Sequence, residues 1–297
     1  MSGVVTVREL AAADLLAAGE LCERMRVRDP TVEPFAQRLP ILAEGPRALL
    51  DLWRVAQDEV GALQGIAFAA VRESRTPEGA ERPTADVYAA VAPELRRQGL
   101  GRALCGPVLE WAAAQGATLR ARVRDDARPG QAFLRALGFR EASAQLSLGW
   151  SARPLEAPDM PALRIRRLGP GEAMRELERL SREAWAGAPD TFATRSDEVA
   201  QLFGEEGRLI LLAEVERRAV AYLSAVRLGR TLGIEEVAVL PEFRRMGIGR
   251  ALLAAALQGT AHAVLSVAES NGPGRALYRS LGFSVSARRV VHELRRG

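Results

Sequence analysis

The chain has 297 residues, 48% of them hydrophobic and 26% charged, with a formal charge of +4. That length predicts about two domains, each apolar enough to bury a core. Without a run of eighteen or more apolar residues nothing spans a membrane as a helix, and two cysteines are too few for a disulfide scaffold.

In chain order, residues 5–10 predict a strand and 11–27 a helical stretch. Strands follow at 50–56 and 63–72, and 86–91 runs extended into a Gly-rich phrase. The helix opened by that phrase leads to a strand at 119–123, a short helix at 131–137, and a terminal hairpin or single strand over 139–150. Residues 151–161 hold three prolines and read as a semi-extended linker.

The series then begins again, with a strand at 163–168, a helix at 172–185 and paired strands at 209–215 and 219–228. Residues 232–240 are rich in β-branched side chains and end at Pro241. The helix over 250–258 is almost all Ala and Leu and is closed by Gly259. Strand–helix–strand around each phrase implies a parallel pair with a right-handed crossover, whereas the earlier short turns imply antiparallel neighbours. A mixed α/β sheet is expected in each of two domains, residues 1–150 and 163–297, joined by a linker at 151–162.

The phrase itself is written twice. Arg96-Arg97-Gln98-Gly99-Leu100-Gly101-Arg102-Ala103-Leu104 recurs as Arg244-Arg245-Met246-Gly247-Ile248-Gly249-Arg250-Ala251-Leu252. A helix start leaves backbone N–H groups unpaired and partly positive, glycines expose them, and arginines add forked donors suited to phosphate. A P-loop needs lysine, and all 41 basic side chains here are arginine. The dinucleotide fingerprint needs a third Gly or Ala where Leu104 and Leu252 stand.

Arg-x-x-Gly-x-Gly between strand and helix resembles the acetyl-CoA signature of the GNAT superfamily of N-acetyltransferases, Arg/Gln-x-x-Gly-x-Gly/Ala. A second segment is similar to that family's next strand and helix: Val264 to Asn271, then Ala276-Leu277-Tyr278-Arg279-Ser280-Leu281-Gly282-Phe283. The resemblance covers nearly the whole chain as two copies and implies two tandem GNAT-like domains. It further implies that both phrases and Asn271 hold acetyl-CoA or another acyl-CoA, and that backbone amides at Val237, Ala238 and Val239 stabilise an oxyanion.

N-acetyl transfer needs a deprotonated amine and a proton for the leaving thiolate. The resemblance places the Tyr278 phenol at the sulfur; the alternative is a core aromatic beside Leu277 and Leu281. Glu235 and Glu236 are candidate bases on the strand before the phrase, where alternation sends them to opposite faces. His292 in the last strand is another. A gapless alignment pairs Tyr278 with Leu134, Asn271 with Ala127, Glu236 with Tyr88 and Glu235 with Val87. The first copy thus keeps the phosphate loop and lacks the acid.

The expected function is acetyl transfer to a primary amine on a small molecule or peptide, with chemistry in the C-terminal copy and a degenerate N-terminal copy. Alternatives are a tandem acetyltransferase like the mycothiol synthases, or a non-catalytic acyl-CoA-binding regulator. The acceptor would meet residues 172–203 and 284–293, where Asp190, Asp197 and Glu198 are the notable acids. No metal is expected, because two histidines and two cysteines lie far apart. The arginines are scattered among acids, which argues against nucleic acid. No secretory leader is evident, so a cytoplasmic monomer or homodimer is expected.

Overall fold

Each Gly-rich phrase joins a strand to a helix in the computed structural model, which describes residues 4–29, 52–75, 81–155, 158–169, 172–186 and 207–295. The first copy contains β1 (Thr6–Glu9), α1 (Leu15–Arg28), β2 (Arg54–Gln57), β3 (Leu63–Arg75), β4 (Glu81–Val91), α2 (Leu100–Gln115), β5 (Thr118–Arg124), α3 (Arg128–Ala136) and β6 (Arg140–Ser151). The second contains β7 (Leu163–Arg167), α4 (Met174–Trp185), β8 (Arg208–Val215), β9 (Arg218–Leu228), β10 (Thr231–Val239), α5 (Ile248–Leu257), β11 (His262–Ala268), α6 (Gly272–Ser280) and β12 (Ser284–Arg295). The fold class is mixed α/β. Asp190, Asp197 and Glu198 lie outside the described residues.

Two compact units result, and they are not consecutive pieces of chain. Unit 1 takes residues 1–144 and 289–297, and unit 2 takes 145–288. In unit 1 the strand order is β1-β2-β3-β4-β5-β12, with β4 and β5 parallel and β12 antiparallel on β5. In unit 2 it is β7-β8-β9-β10-β11-β6, with β10 and β11 parallel and β6 antiparallel on β11.

The end of each copy therefore completes the sheet of the other unit. Residues 139–150 predicted a hairpin or a single strand, and a single strand forms. Its apolar alternation, Leu146, Leu148 and Trp150, is buried in the core of unit 2. The Trp150 indole N–H donates to the Leu281 carbonyl at 3.0 Å, and its ring lies 6.3 Å from that of Phe283. In return, residues 289–295 pair with β5, and Leu294 packs on the unit 1 core.

In both units the parallel pair parts before the Gly-rich phrase. β4 pairs with β5 only over Thr84–Asp86, and β10 with β11 only over Thr231–Ile234. The remaining turn of each first strand, up to Val91 and Val239, runs without its parallel neighbour. That gap, with a helix N-terminus at its end, is what positions the candidate site.

Candidate active site

The two Gly-rich loops share one backbone path. Arg97 and Arg245 have φ of 67° and 65°, and Gly99 and Gly247 cap α2 and α5 at φ of 84° and 90°. Left-handed backbone at a non-glycine residue costs roughly 1–2 kcal/mol. In unit 2 the first helical bond runs from Ala251 N–H to Gly247, at 3.0 Å. In unit 1 the bond is tighter by one residue, since Arg102 N–H also reaches Gly99 at 3.0 Å, so fewer amides face outward. Either terminus suits an anion.

The glycines and arginines of each phrase divide their work in a way that spacing does not reveal. A Cβ on Gly99 would meet nothing, whereas one on Gly101 or Gly249 would meet Phe133 or Leu277, each at 3.2 Å. The second glycine thus admits the next helix rather than an anion. Arg96 and Arg244 donate through Nε to the carbonyls of Val91 and Val239, at 3.0 and 3.1 Å. Arg96 also pairs with Asp29, and Arg244 reaches the Ala184 carbonyl at 2.7 Å. Arg102 and Arg250 tie to the ends of α3 and α6 at Ala136 and Ser280. These four arginines brace the loop. The exposed Arg97 and Arg245 have no ion-pair or side-chain hydrogen-bond partner among the described residues. Gln98 donates to the Glu94 carbonyl, and Met246 is solvent-exposed.

The units differ most on the strand before the loop. From the residue paired with the start of the parallel partner (Thr84 or Thr231) to the last strand residue (Val91 or Val239), β10 is one residue longer than β4. The extra residue is a β-bulge between Ile234 and Glu236 against β9, whereas β3 and β4 pair without a break. Gapless alignment is therefore corrected: Val87 corresponds to Ile234, and Glu235 has no counterpart. Strict alternation is corrected too, because a bulge turns the strand over. Leu232 and Ile234 enter the core under α5, while Ala238 and Leu240 enter the core under α4.

Both acids consequently engage one face. Tyr222 donates its hydroxyl to Glu236 Oε2 at 2.6 Å. Arg208 forms an ion pair with Glu235 and also donates to Ser224, two residues beyond Tyr222 on the same strand. In unit 1, cross-strand register places Ile66 and Phe68 where unit 2 has Tyr222 and Ser224. There Tyr88, the counterpart of Glu236, stacks on Phe68 at 4.7 Å, and Phe68 meets Trp53 at 4.6 Å. An aromatic stack occupies the place of the acid and phenol. Tyr222 and Arg208 carried no sequence signal, because their contacts cross strands at separations of 14 and 27 residues.

Tyr278 lies on α6, packed against the core of unit 2, with its ring edge-on to Phe283 at 5.8 Å. Its hydroxyl has no hydrogen-bond partner among the described residues, and burial pushes the phenol up to about 12. Asn271 caps the same helix, its Oδ1 accepting from Gly274 N–H at 2.9 Å. Ala127 at the start of α3 makes no such bond. Replacing Asn271 by Ala is expected to destabilise unit 2 by about 1 kcal/mol, read as a lower midpoint in urea with an unchanged slope.

The remaining candidates fall elsewhere. His292 is fully buried, its ring nitrogens make no hydrogen bond among the described residues, and it belongs to unit 1, so this alternative base does not share a unit with Glu236 or Tyr278. Burial pushes the Cys22 and Cys105 thiols up to about 12, far from a ready nucleophile. A cleft of about 470 Å³ runs along the outer face of α6, floored by Leu146, Leu148 and Phe283 and rimmed by Arg275 and Arg279; neither Glu236 nor Tyr278 lines it. No helix among the described residues is long and apolar enough to cross a membrane.

Comparison with known proteins fits this geometry. The model of the acetyltransferase (GNAT) family matches twice, over residues 29–139 and 172–283. Mycothiol acetyltransferase from Thermobifida fusca is 28% identical, covering 96% of both chains. That from Thermomonospora curvata is 28% identical, covering 90% of this chain and 89% of its own. Among solved structures, a GCN5-related N-acetyltransferase from Sphaerobacter thermophilus superposes with a TM-score of 0.76 at 22% identity, over 98% of this chain and 96% of that one. A tandem GNAT protein from the clavulanic acid biosynthesis pathway gives 0.74 at 20% identity, over 99% of each. With the family model matched in both copies over most of its length, the chain belongs to the GNAT family of acetyltransferases.

Proposed function

We propose that the chain moves an acetyl group from acetyl-CoA to a primary amine, with the chemistry in unit 2 and unit 1 as a non-catalytic cofactor-binding or structural partner. The observation that carries this reading is the bulge of β10, because it supplies the Glu236–Tyr222 pair to the parted strand in unit 2 alone. Both loops fit the cofactor: each has a glycine-capped helix N-terminus and an unengaged arginine. In unit 2 the holding residues would be Arg245 and the amides of Gly247, Ile248, Gly249 and Arg250. Asn271 and the backbone of Val237 to Val239 would complete them. The bound cofactor supplies an activated acetyl thioester.

Around it, Glu236 takes the proton of the acceptor amine, which is mostly protonated near neutral pH. Glu235 is held by Arg208 and serves the local charge balance. Tyr278 donates a hydrogen bond to the departing sulfur. A free thiol ionises near 8.5, well below this phenol at about 12, so the phenol is protonated at working pH and its hydroxyl is uncommitted. In unit 1, Leu134 and Tyr88 stand at these two positions and offer no such exchange. We place the chain in the cytoplasm, where its two buried free thiols would stay reduced.

The names of the relatives favour mycothiol chemistry for the acceptor. The test is an acceptor screen with the purified chain and acetyl-CoA, including desacetylmycothiol, amino sugars and peptide amines, followed by thiol release. Turnover with an amine that falls to background in Glu236→Gln supports the reading. Tight acetyl-CoA binding without transfer to any amine would favour a regulator.

A further inference from the structure

We infer that Tyr222 is a positioning residue for the reaction in unit 2, orienting the Glu236 carboxylate and setting the pH at which it accepts a proton. The inference rests on the reading of Glu236 as the base. Tyr222 is 3% exposed and donates to Glu236 Oε2 at 2.6 Å, a short charge-assisted bond. Its ring is packed in the core under α4 with Leu177 and Leu180, so the ring is held from the helix while its hydroxyl holds the acid. Burial, then the negative charge of Glu236 and its hydrogen bond, push ionisation of this phenol up, so it remains a donor at every working pH.

Such a bond constrains the carboxylate in two ways. One lone pair of Oε2 is engaged, and the bond restricts the rotation of the group. A donor to the ionised form also favours that form, so the base is ready at lower pH than it would be alone. On β10 the neighbouring acid Glu235 is neutralised by Arg208 of β8, β9 offers neutral Ser224, and α4 offers neutral Ser181 and Trp185. β11 turns Val264, Ser266 and Ala268 to this face, since Ala263, Leu265 and Val267 are in the opposite core. Unit 1 is an internal comparison: where Glu236 is replaced by Tyr88, the Tyr222 position is Ile66. The donor is present only where there is an acid to hold.

Tyr222→Phe removes only the hydroxyl. In the free protein, with glutamate carboxylates labelled with carbon-13 and Glu236→Gln used for assignment, the Glu236 midpoint is expected to rise by about one pH unit in Tyr222→Phe. In turnover with acetyl-CoA and the best amine of the screen, the acidic limb of kcat/KM should move upward by the same amount, with KM for acetyl-CoA unchanged. In a Glu236→Gln background, Tyr222→Phe should leave acetyl-CoA binding unchanged, because the residue acts through that acid. An unmoved midpoint and limb overturn the inference while leaving Glu236 as base. Weaker acetyl-CoA binding in the double variant than in Glu236→Gln shows a merely structural residue and also overturns it. Full turnover in Glu236→Gln alone removes the base reading itself, and this inference with it.

Discussion

Tyr278→Phe is expected to lower kcat by roughly 10²-fold or more, with KM for acetyl-CoA and the thermal midpoint little changed. The three outcomes separate because of where the side chain sits. Its ring contributes packing, edge-on to Phe283 at 5.8 Å and against the unit 2 core, and phenylalanine keeps that contact. Its hydroxyl has no partner among the described residues, so nothing is orphaned by its removal. What is lost is a hydrogen-bond donor. The protonated form disappears only as pH rises through about 12, so no basic limb from this phenol should cross the neutral range in the parent protein. Unchanged kcat in Tyr278→Phe would show that the ring is a core aromatic and that the leaving group is stabilised by something else.

Much of the fold is legible in the chain because strand alternation and the Ala/Leu-rich helix each encode a local period. β10 and α5 fall within a few residues of their predicted places for that reason. Alternation states that a strand has an apolar face, yet it does not say which sheet receives it. Leu146, Leu148 and Trp150 read as the last strand of the first copy and are buried in unit 2 instead. The bulge was hidden for a related reason. One added residue between two strands of similar composition leaves every gapless match plausible, and only hydrogen-bond register exposes it.

The candidate site was legible to the degree that its chemistry is local. The loop, the glycine caps and the positions of Asn271 and Tyr278 follow from contiguous motifs. Arginine roles did not, because backbone path decides which guanidinium meets a carbonyl. Arg96 and Arg244, first in each phrase, turn back to the strand they follow, while Arg97 and Arg245 are left outward. The Tyr222–Glu236 contact depends on the bulge, so it was invisible for as long as the bulge was. Asymmetry between the copies, inferred from a missing tyrosine and asparagine, thus has a second and larger source in the backbone of β10.

A pair of matched substitutions tests that asymmetry directly. Gly247→Glu is expected to abolish transfer, and Gly99→Glu to leave a measurable part of it. Both glycines cap a helix at nearly the same dihedral, φ of 90° and 84°, so a side chain at either is strained to a similar degree, about 1–2 kcal/mol. A Cβ has ordinary contact with Met160 at 3.5 Å in one case and open space in the other, so neither change overfills a core. Both place a carboxylate at the helix N-terminus proposed to hold the cofactor, where the new charge and a phosphate exclude one another. Strain and charge are matched; the difference is what stands behind each loop. Behind Gly247 are Glu236 with its phenol, and Tyr278; behind Gly99 are Tyr88 in an aromatic stack, and Leu134. Acetyl-CoA binding measured on each variant should show loss at the substituted loop, while thiol release should follow the Gly247 loop. Equal loss of transfer from the two substitutions would mean that both units take part in the chemistry or that the cofactor in unit 1 controls unit 2, and the division of labour drawn from the bulge would fail.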